Sequence, residues 1–261
     1  MIWLASTLPA TLPLARRLLP PLILHTLYTR NGAAIKHWLH IRPCNAITVL
    51  DTHDGIGVAD VEAARGNDGL QGLLTPDEID TLVNTIHHRS RGESRMASGS
   101  EANNVDTSQI NCTFYDALGR RDSEYLVARA IQCFVPGIPQ VYYVGLLAGR
   151  NDVDLLSRTG VGRDINRHHY TADELRVALT QPVVQLLLAL LQIRNTHPAF
   201  QGTFDVLDSA VDRIALVWTH GDAFARLDVD FTGMCASIMC SSRGAQSKSD
   251  VAWHTLAGAR A

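Results

Sequence analysis

The sequence predicts an α/β fold with a parallel sheet, closed by a smaller β-rich unit at the C-terminal end. Two observations carry that expectation. Helix-period segments alternate with short continuous apolar runs as far as about residue 200, the rhythm of β/α units. Beyond Gln201 the period changes to strict alternation, which suits antiparallel strands with one covered face. A third observation sets the class: among 261 residues, 46% are hydrophobic and 19% charged, the balance of a soluble globular protein able to bury a large core.

The first 19 residues are apolar but carry Arg16 and Arg17 inside, lack a basic start and show no small-residue cleavage pattern, so they do not read as a secretory signal. Their prolines argue against a regular helix before Pro20. Leu22 to Leu39 has helical spacing through Leu24, Leu27, Ile35, Trp38 and Leu39, with a break at Asn31-Gly32. "NAITVL", residues 45–50, reads as a buried strand, and His53 and Asp54 follow at its C-terminal mouth. Gly55 and Gly57 allow a tight exit.

Residues 58–119 change character, being rich in Gly, Ser and Asn around one helix. That helix starts at Thr75-Pro76, gains Asp77 and Glu78 in its first turn and runs to about His87. "HHRSRGESR", 87–95, is expected to be a solvated basic loop rather than a phosphate site. An amphipathic helix over 123–135 is closed by Pro136-Gly137, and "IPQVYYVGLLAG" reads as a second buried strand entering a glycine-bearing loop. "QPVVQLLLALLQIRN" is a further helix, entered through Pro182 and stopped before His197-Pro198. "TFDVLD" and "RIALVWTHG" are the antiparallel strands of the terminal unit, while the polar stretch from Ser241 onward is expected to fray.

Composition excludes several functions. A net charge of -3 gives no footprint for nucleic acid, and no run is apolar and long enough to suggest a membrane span. The five cysteines, Cys44, Cys112, Cys133, Cys235 and Cys240, are scattered and odd in number, so reduced thiols and a cytoplasmic setting are expected rather than disulfides or zinc. No cofactor motif is present.

On its own the His53-Asp54 pair after a strand is either a polar-ligand site or a structural corner. The ordered set "DTHDGIG" (51–57), "NNVDTSQIN" (103–111), "PGIPQVYYVGLLAGRND" (136–152) and "VGRDINRHHY" (161–170) resembles the sucrose phosphorylase group of the α-amylase-type glycoside hydrolase superfamily, from about Leu19 to Phe204. The resemblance implies the C-terminal part of a (β/α)8 barrel, with "NAITVL" as strand seven and "IPQVYYV" as strand eight. It implies five segments: a nonmatching leader (1–19), a barrel segment (20–57), an inserted small domain (58–119), a second barrel segment (120–200) and a β-rich domain (201–261).

The implied chemistry is retaining transfer of a glucosyl group from sucrose to inorganic phosphate by double displacement, without metal or cofactor. By resemblance Asp54 stabilises the transition state and binds ring hydroxyls, His53 donates to the same hydroxyls, and Arg163 clamps the far side of the ring. Asp106 and Gln109 fall on the loop that contacts the leaving or accepting group. Two departures stand out. Thr107 and Ser108 replace a large apolar residue and a tyrosine of sucrose-specific members, which leaves glucosylglycerol and glucosylglycerate open as substrates. No segment before Asp54 matches the nucleophilic Asp or the acid/base Glu, so the chain reads as a truncated, inactive fragment, with a separate N-terminal half or a homodimer as the partners left open.

Overall fold

The computed structural model describes residues 13–42, 46–58, 73–98, 109–241 and 252–256, with the side chains of 13–17, 98 and 252–256 left aside. Helices α1 (Pro13–Thr29) and α2 (Ala33–Ile41) flank the predicted break, where Gly32 donates to the Val211 carbonyl at 2.7 Å. The expectation of no helix before Pro20 is corrected, since Pro20 and Pro21 lie inside α1. Two adjacent prolines forfeit two rungs of the helix ladder. Leu19, Leu22, Ile23, Leu24 and Leu27, all fully buried, supply the packing that offsets them.

The first predicted strand shrinks to β1 (Ile47–Thr48), which pairs in parallel with β4 (Ile138–Pro139). Ladder bonds run from Ile138 N to Ala46 O and from Gln140 N to Thr48 O, both 2.9 Å. Past Thr48 the chain turns away, so the second strand loses its partner and the reading of residues 138–144 as one strand is corrected: Tyr143–Leu146 is helical (α7). Between them, β2 (Ile56–Gly57) pairs antiparallel with β3 (Gln109–Ile110), joining both ends of the long 58–108 excursion.

Within that excursion α3 (Pro76–Arg89) opens on a full capping box, Thr75 with Glu78. The basic stretch is not one loop: His87 and Arg89 belong to α3, and Glu93 opens α4 (Glu93–Ser98). Nor is it fully solvated, because His87 Nδ1 meets Ser94 Oγ at 2.6 Å and Arg89 packs over the Tyr28 ring at 4.4 Å. A short α5 (Phe114–Ala117) leads to α6 (Asp122–Phe134), expected to be amphipathic and found buried on every side from Glu124 to Phe134. It lies among α1, α10 and the terminal sheet, which leaves it no solvent face.

Three further helical segments were not predicted: α8 (Val153–Thr159), a 3-10 turn at Gly162–Asn166, and α9 (Ala172–Thr180), which opens on a capping box of Thr171 with Glu174. The predicted α10 spans Pro182–Thr196. No single helix among the described residues is long and apolar enough to cross a membrane.

The terminal unit is a five-stranded antiparallel meander, β5 (Thr203–Leu207), β6 (Arg213–His220), β7 (Ala223–Asp230), β8 (Cys235–Ser241) and β9 (Ala252–Leu256). Strict burial alternation along β7 and β8 turns one face inward. Trp218 anchors that face, donating its indole N–H to Phe134 O at 2.7 Å. The expected fraying after Ser241 is corrected at residues 252–256, whose backbone satisfies the free edge of β8. One continuous apolar core runs from α1 through α6 into this sheet.

Candidate functional site

The site begins in the turn Thr52–Gly55. Thr52 and Gly55 exchange backbone hydrogen bonds of 3.1 Å, and the Thr52 hydroxyl accepts from Asp54 N at 3.1 Å, so the turn is closed locally. Gly55 sits at φ +100°, and a Cβ there would lie 2.2 Å from Ile110 O. Only glycine lets the turn press against β3. His53 and Asp54 are thereby pushed outward, with Nε2 and Oδ2 3.2 Å apart and side chains 62% and 29% exposed.

A loop more than a hundred residues later closes on the same carboxylate. Arg163 Nη1 reaches Asp54 Oδ1 at 3.1 Å and Arg167 Nη2 reaches the same oxygen at 3.3 Å. Arg167 also donates Nε–H to His53 O at 2.9 Å, and Asn166 Nδ2 donates to Thr52 O at 2.8 Å. Residues 166 and 167 therefore grip the backbone of the turn, whereas the more exposed Arg163 holds only the carboxylate. The pair at i and i+4 comes from the 3-10 turn that begins at Gly162.

Beneath the turn lies a buried network. Asp51 Oδ1 accepts from Arg129 Nη2 at 2.8 Å, and Arg129 also reaches Tyr125 Oη and Gln132 Oε1. Gln132 Nε2 then donates to Thr48 O at 2.9 Å and Gln140 O at 3.0 Å, tying α6 to the ends of β1 and β4. Burial works against the Arg129 charge, yet Asp51 and Tyr125 raise its pKa above the usual arginine value. The guanidinium is thus permanently charged and paired.

His53, Asp54 and Gln109 line a 260 Å³ cleft with Asp51, Gln140, Tyr142 and Pro20 of α1. Carboxylate, imidazole and carboxamide groups lining such a cleft, with the Arg163 guanidinium on Asp54, can donate to and accept from a polyhydroxyl ligand at once. A larger cavity of 750 Å³, lined by residues 147–154, His168, Tyr170 and Glu174, shares no lining residue with it. Within its lining His168 bonds Asp152 at 2.6 Å and approaches Glu174 at 3.4 Å. The described residues contain no cluster suited to a metal ion.

Of the residues singled out by sequence, His53, Asp54 and Gln109 share the cleft and Arg163 joins Asp54. Asp106, like Thr107 and Ser108, lies outside the described residues. Arg167, Asn166, Asp51 and Arg129 were not singled out. The four-residue spacing of the arginines in "GRDINR" was a usable signal, while the Asp51–Arg129 pairing across 78 positions left none.

No family model matches the chain. It is 57% identical over 223 residues to the sucrose phosphorylase of Agrobacterium vitis, covering 85% of this chain and 45% of that protein. It is 46% identical over 213 residues to the glucosylglycerol phosphorylase of Marinobacter adhaerens, covering 42% of it. Among solved structures it matches sucrose 6F-phosphate phosphorylase from Thermoanaerobacter thermosaccharolyticum with TM-score 0.76 and 35% identity, over 91% of this chain and 46% of that one. Fold and sequence together make the chain a homologue of glycoside phosphorylases. More narrowly, it is a homologue of the sucrose phosphorylase group and spans less than half the length of the relatives it matches.

Proposed function

We propose that this chain carries part of the glucosyl-binding site of a sucrose phosphorylase, which transfers glucose from sucrose to phosphate with retention and yields α-glucose 1-phosphate and fructose. The observation that carries the reading is the meeting of Arg163 and Asp54, 109 positions apart, on one oxygen at the rim of the His53 cleft. In this reading β1 and β4 are strands seven and eight of a (β/α)8 barrel, residues 58–119 an inserted small domain and residues 201–261 the β-rich domain.

Asp54 accepts from ring hydroxyls and sets its charge against the positive charge that develops at the anomeric carbon in an oxocarbenium-like transition state. His53 and Arg163 donate to the remaining hydroxyls. Gln109 and Asp106 contact the leaving group and then phosphate. In this reading the nucleophile and the acid belong to the part of the relatives' length that this chain does not span. The 261-residue polypeptide alone is therefore expected to release no α-glucose 1-phosphate from sucrose and phosphate. Joined to the complementary half of a relative it should do so, and Asp54→Ala should lower that turnover roughly a hundredfold or more. Robust turnover by the chain alone would sink the division of labour, and an unaffected Asp54→Ala would sink the site.

Thr107 and Ser108 favour a second reading of the leaving group, glycerol or glycerate in place of fructose. Comparing sucrose, glucosylglycerol and glucosylglycerate in the joined enzyme separates the two.

A further inference from the structure

Away from the His53 cleft, three arginines from three elements converge on one buried carboxylate. Glu124, in the first turn of α6, is 2% exposed. Its Oε1 accepts from Arg121 Nη1 at 2.9 Å and from Arg30 Nη2 at 3.4 Å, while its Oε2 accepts from Arg89 Nη1. Other arginines are better matched: Arg120 meets both Asp116 and Glu93, and Arg129 has Asp51 to itself. Here three guanidiniums share one anion, and the adjacent Asp122 is already engaged by the Tyr115 hydroxyl at 2.6 Å.

The three are not equivalent. Arg89, 17% exposed and stacked over Tyr28, is sealed in. Arg30 and Arg121 are 34% and 59% exposed, and sharing Oε1 keeps them side by side at the surface. Arg30 Nη1 is buried without a hydrogen-bond partner, a donor whose capacity the protein does not use. Glu124 thus acts as a fixed counter-charge that lets like charges sit together, with surplus positive charge on the exposed parts of Arg30 and Arg121, while the Arg30 Nη1 donor stays buried beneath them.

We propose that Arg30 and Arg121, held by Glu124 and backed by Arg89, form a seat for the phosphate group, either free phosphate or the phosphoryl end of a sugar phosphate. Planar guanidiniums side by side match the oxygen spacing of that group, and its double charge answers the surplus. The seat is distinct from the His53 cleft and does not depend on the reading of that cleft.

The test is calorimetric titration of the whole chain at low ionic strength, with inorganic phosphate in one arm and α-glucose 1-phosphate in the other. Arg121→Gln and Arg30→Gln should each weaken binding about tenfold, the loss of one charge-assisted contact, while Arg176→Gln, a surface arginine paired only with Asp173, should leave it unchanged. Binding in both arms marks a seat for any phosphoryl group, and binding in one arm identifies the source. Arg121 is mostly exposed, so its variant should keep the wild-type circular dichroism spectrum and melting temperature. No binding of either ligand, binding indifferent to Arg121→Gln, or binding weakened as much by Arg176→Gln would overturn the proposal.

Discussion

At the residue scale, Gly145 shows how tightly the ground beneath the candidate site is packed. A Cβ at this position would lie 2.3 Å from Arg129 Nη2 and 2.7 Å from Asp51 Oδ2, and both partners are buried and bonded to each other. Neither can step aside without breaking the pair. Gly145→Ala is therefore expected to destabilise the fold by about 1–3 kcal/mol, the usual range for overpacking. Asp51→Ala should cost more, about 3–5 kcal/mol, because it strands a fully buried guanidinium. Arg163→Ala should cost less than about 1 kcal/mol, since that pair is largely exposed. Urea midpoints would rank the three variants, and an Asp51→Ala as mild as Arg163→Ala would show that the network does not carry the turn above it.

At the scale of elements, what could be read in advance depended on how far away the partners lie. The capping box Thr75-Pro76-Asp77-Glu78 is local chemistry, and α3 starts where it predicts; Thr75 Oγ1 accepts from Glu78 N at 3.3 Å, and Glu78 Oε2 accepts from Thr75 N at 2.8 Å. Removing it with Thr75→Ala should lower stability by about 1 kcal/mol, read as a drop in the thermal midpoint. Strand length was not legible in the same way. "NAITVL" and "IPQVYYV" look like full strands because apolar β-branched residues fill them, yet each is extended only where the other supplies carbonyls and amides, two residues apiece. The double proline in α1 misled for a related reason: local propensity is outweighed by five fully buried leucine and isoleucine side chains, whose packing the sequence does not display. At the site, His53, Asp54 and Arg163 could be picked out through their motifs and Arg167 through its four-residue spacing from Arg163, whereas Asn166 acts only on the Thr52 carbonyl and has no side-chain pattern of its own.

For the whole molecule, the continuous core ties stability to pH through histidines half-buried at its margins. His25 on α1 is lowered from 6.5 mainly by burial, with Glu78 only partly restoring it. His87 on α3 is lowered by burial and then by the Arg95 charge, and His197, before the terminal sheet, is lowered by burial. Each ring is held neutral in the fold but protonates near 6.5 when the chain unfolds, so the unfolded state takes up more protons as the pH falls below that value. Their contribution is complete above 6.5 and is lost as the pH drops toward the folded-state values. The carboxylates act later: Glu78, lowered from 4.5 by the Thr75 backbone amide, and Asp152, lowered from 3.8 because its bonds to His168 and Leu155 N outweigh burial, favour the fold until they protonate. The thermal midpoint should therefore be level between pH 7 and 8, decline on passing below 6.5, and fall again below about 4.5, where unfolded carboxylates begin to protonate. His87→Gln, which keeps a polar group beside Ser94 while removing one titration, should make the first decline shallower without altering the second. A midpoint that stayed level down to pH 5, or a first decline unchanged in His87→Gln, would show that these rings can protonate in place and that the margins of the core are wetter than the packing indicates.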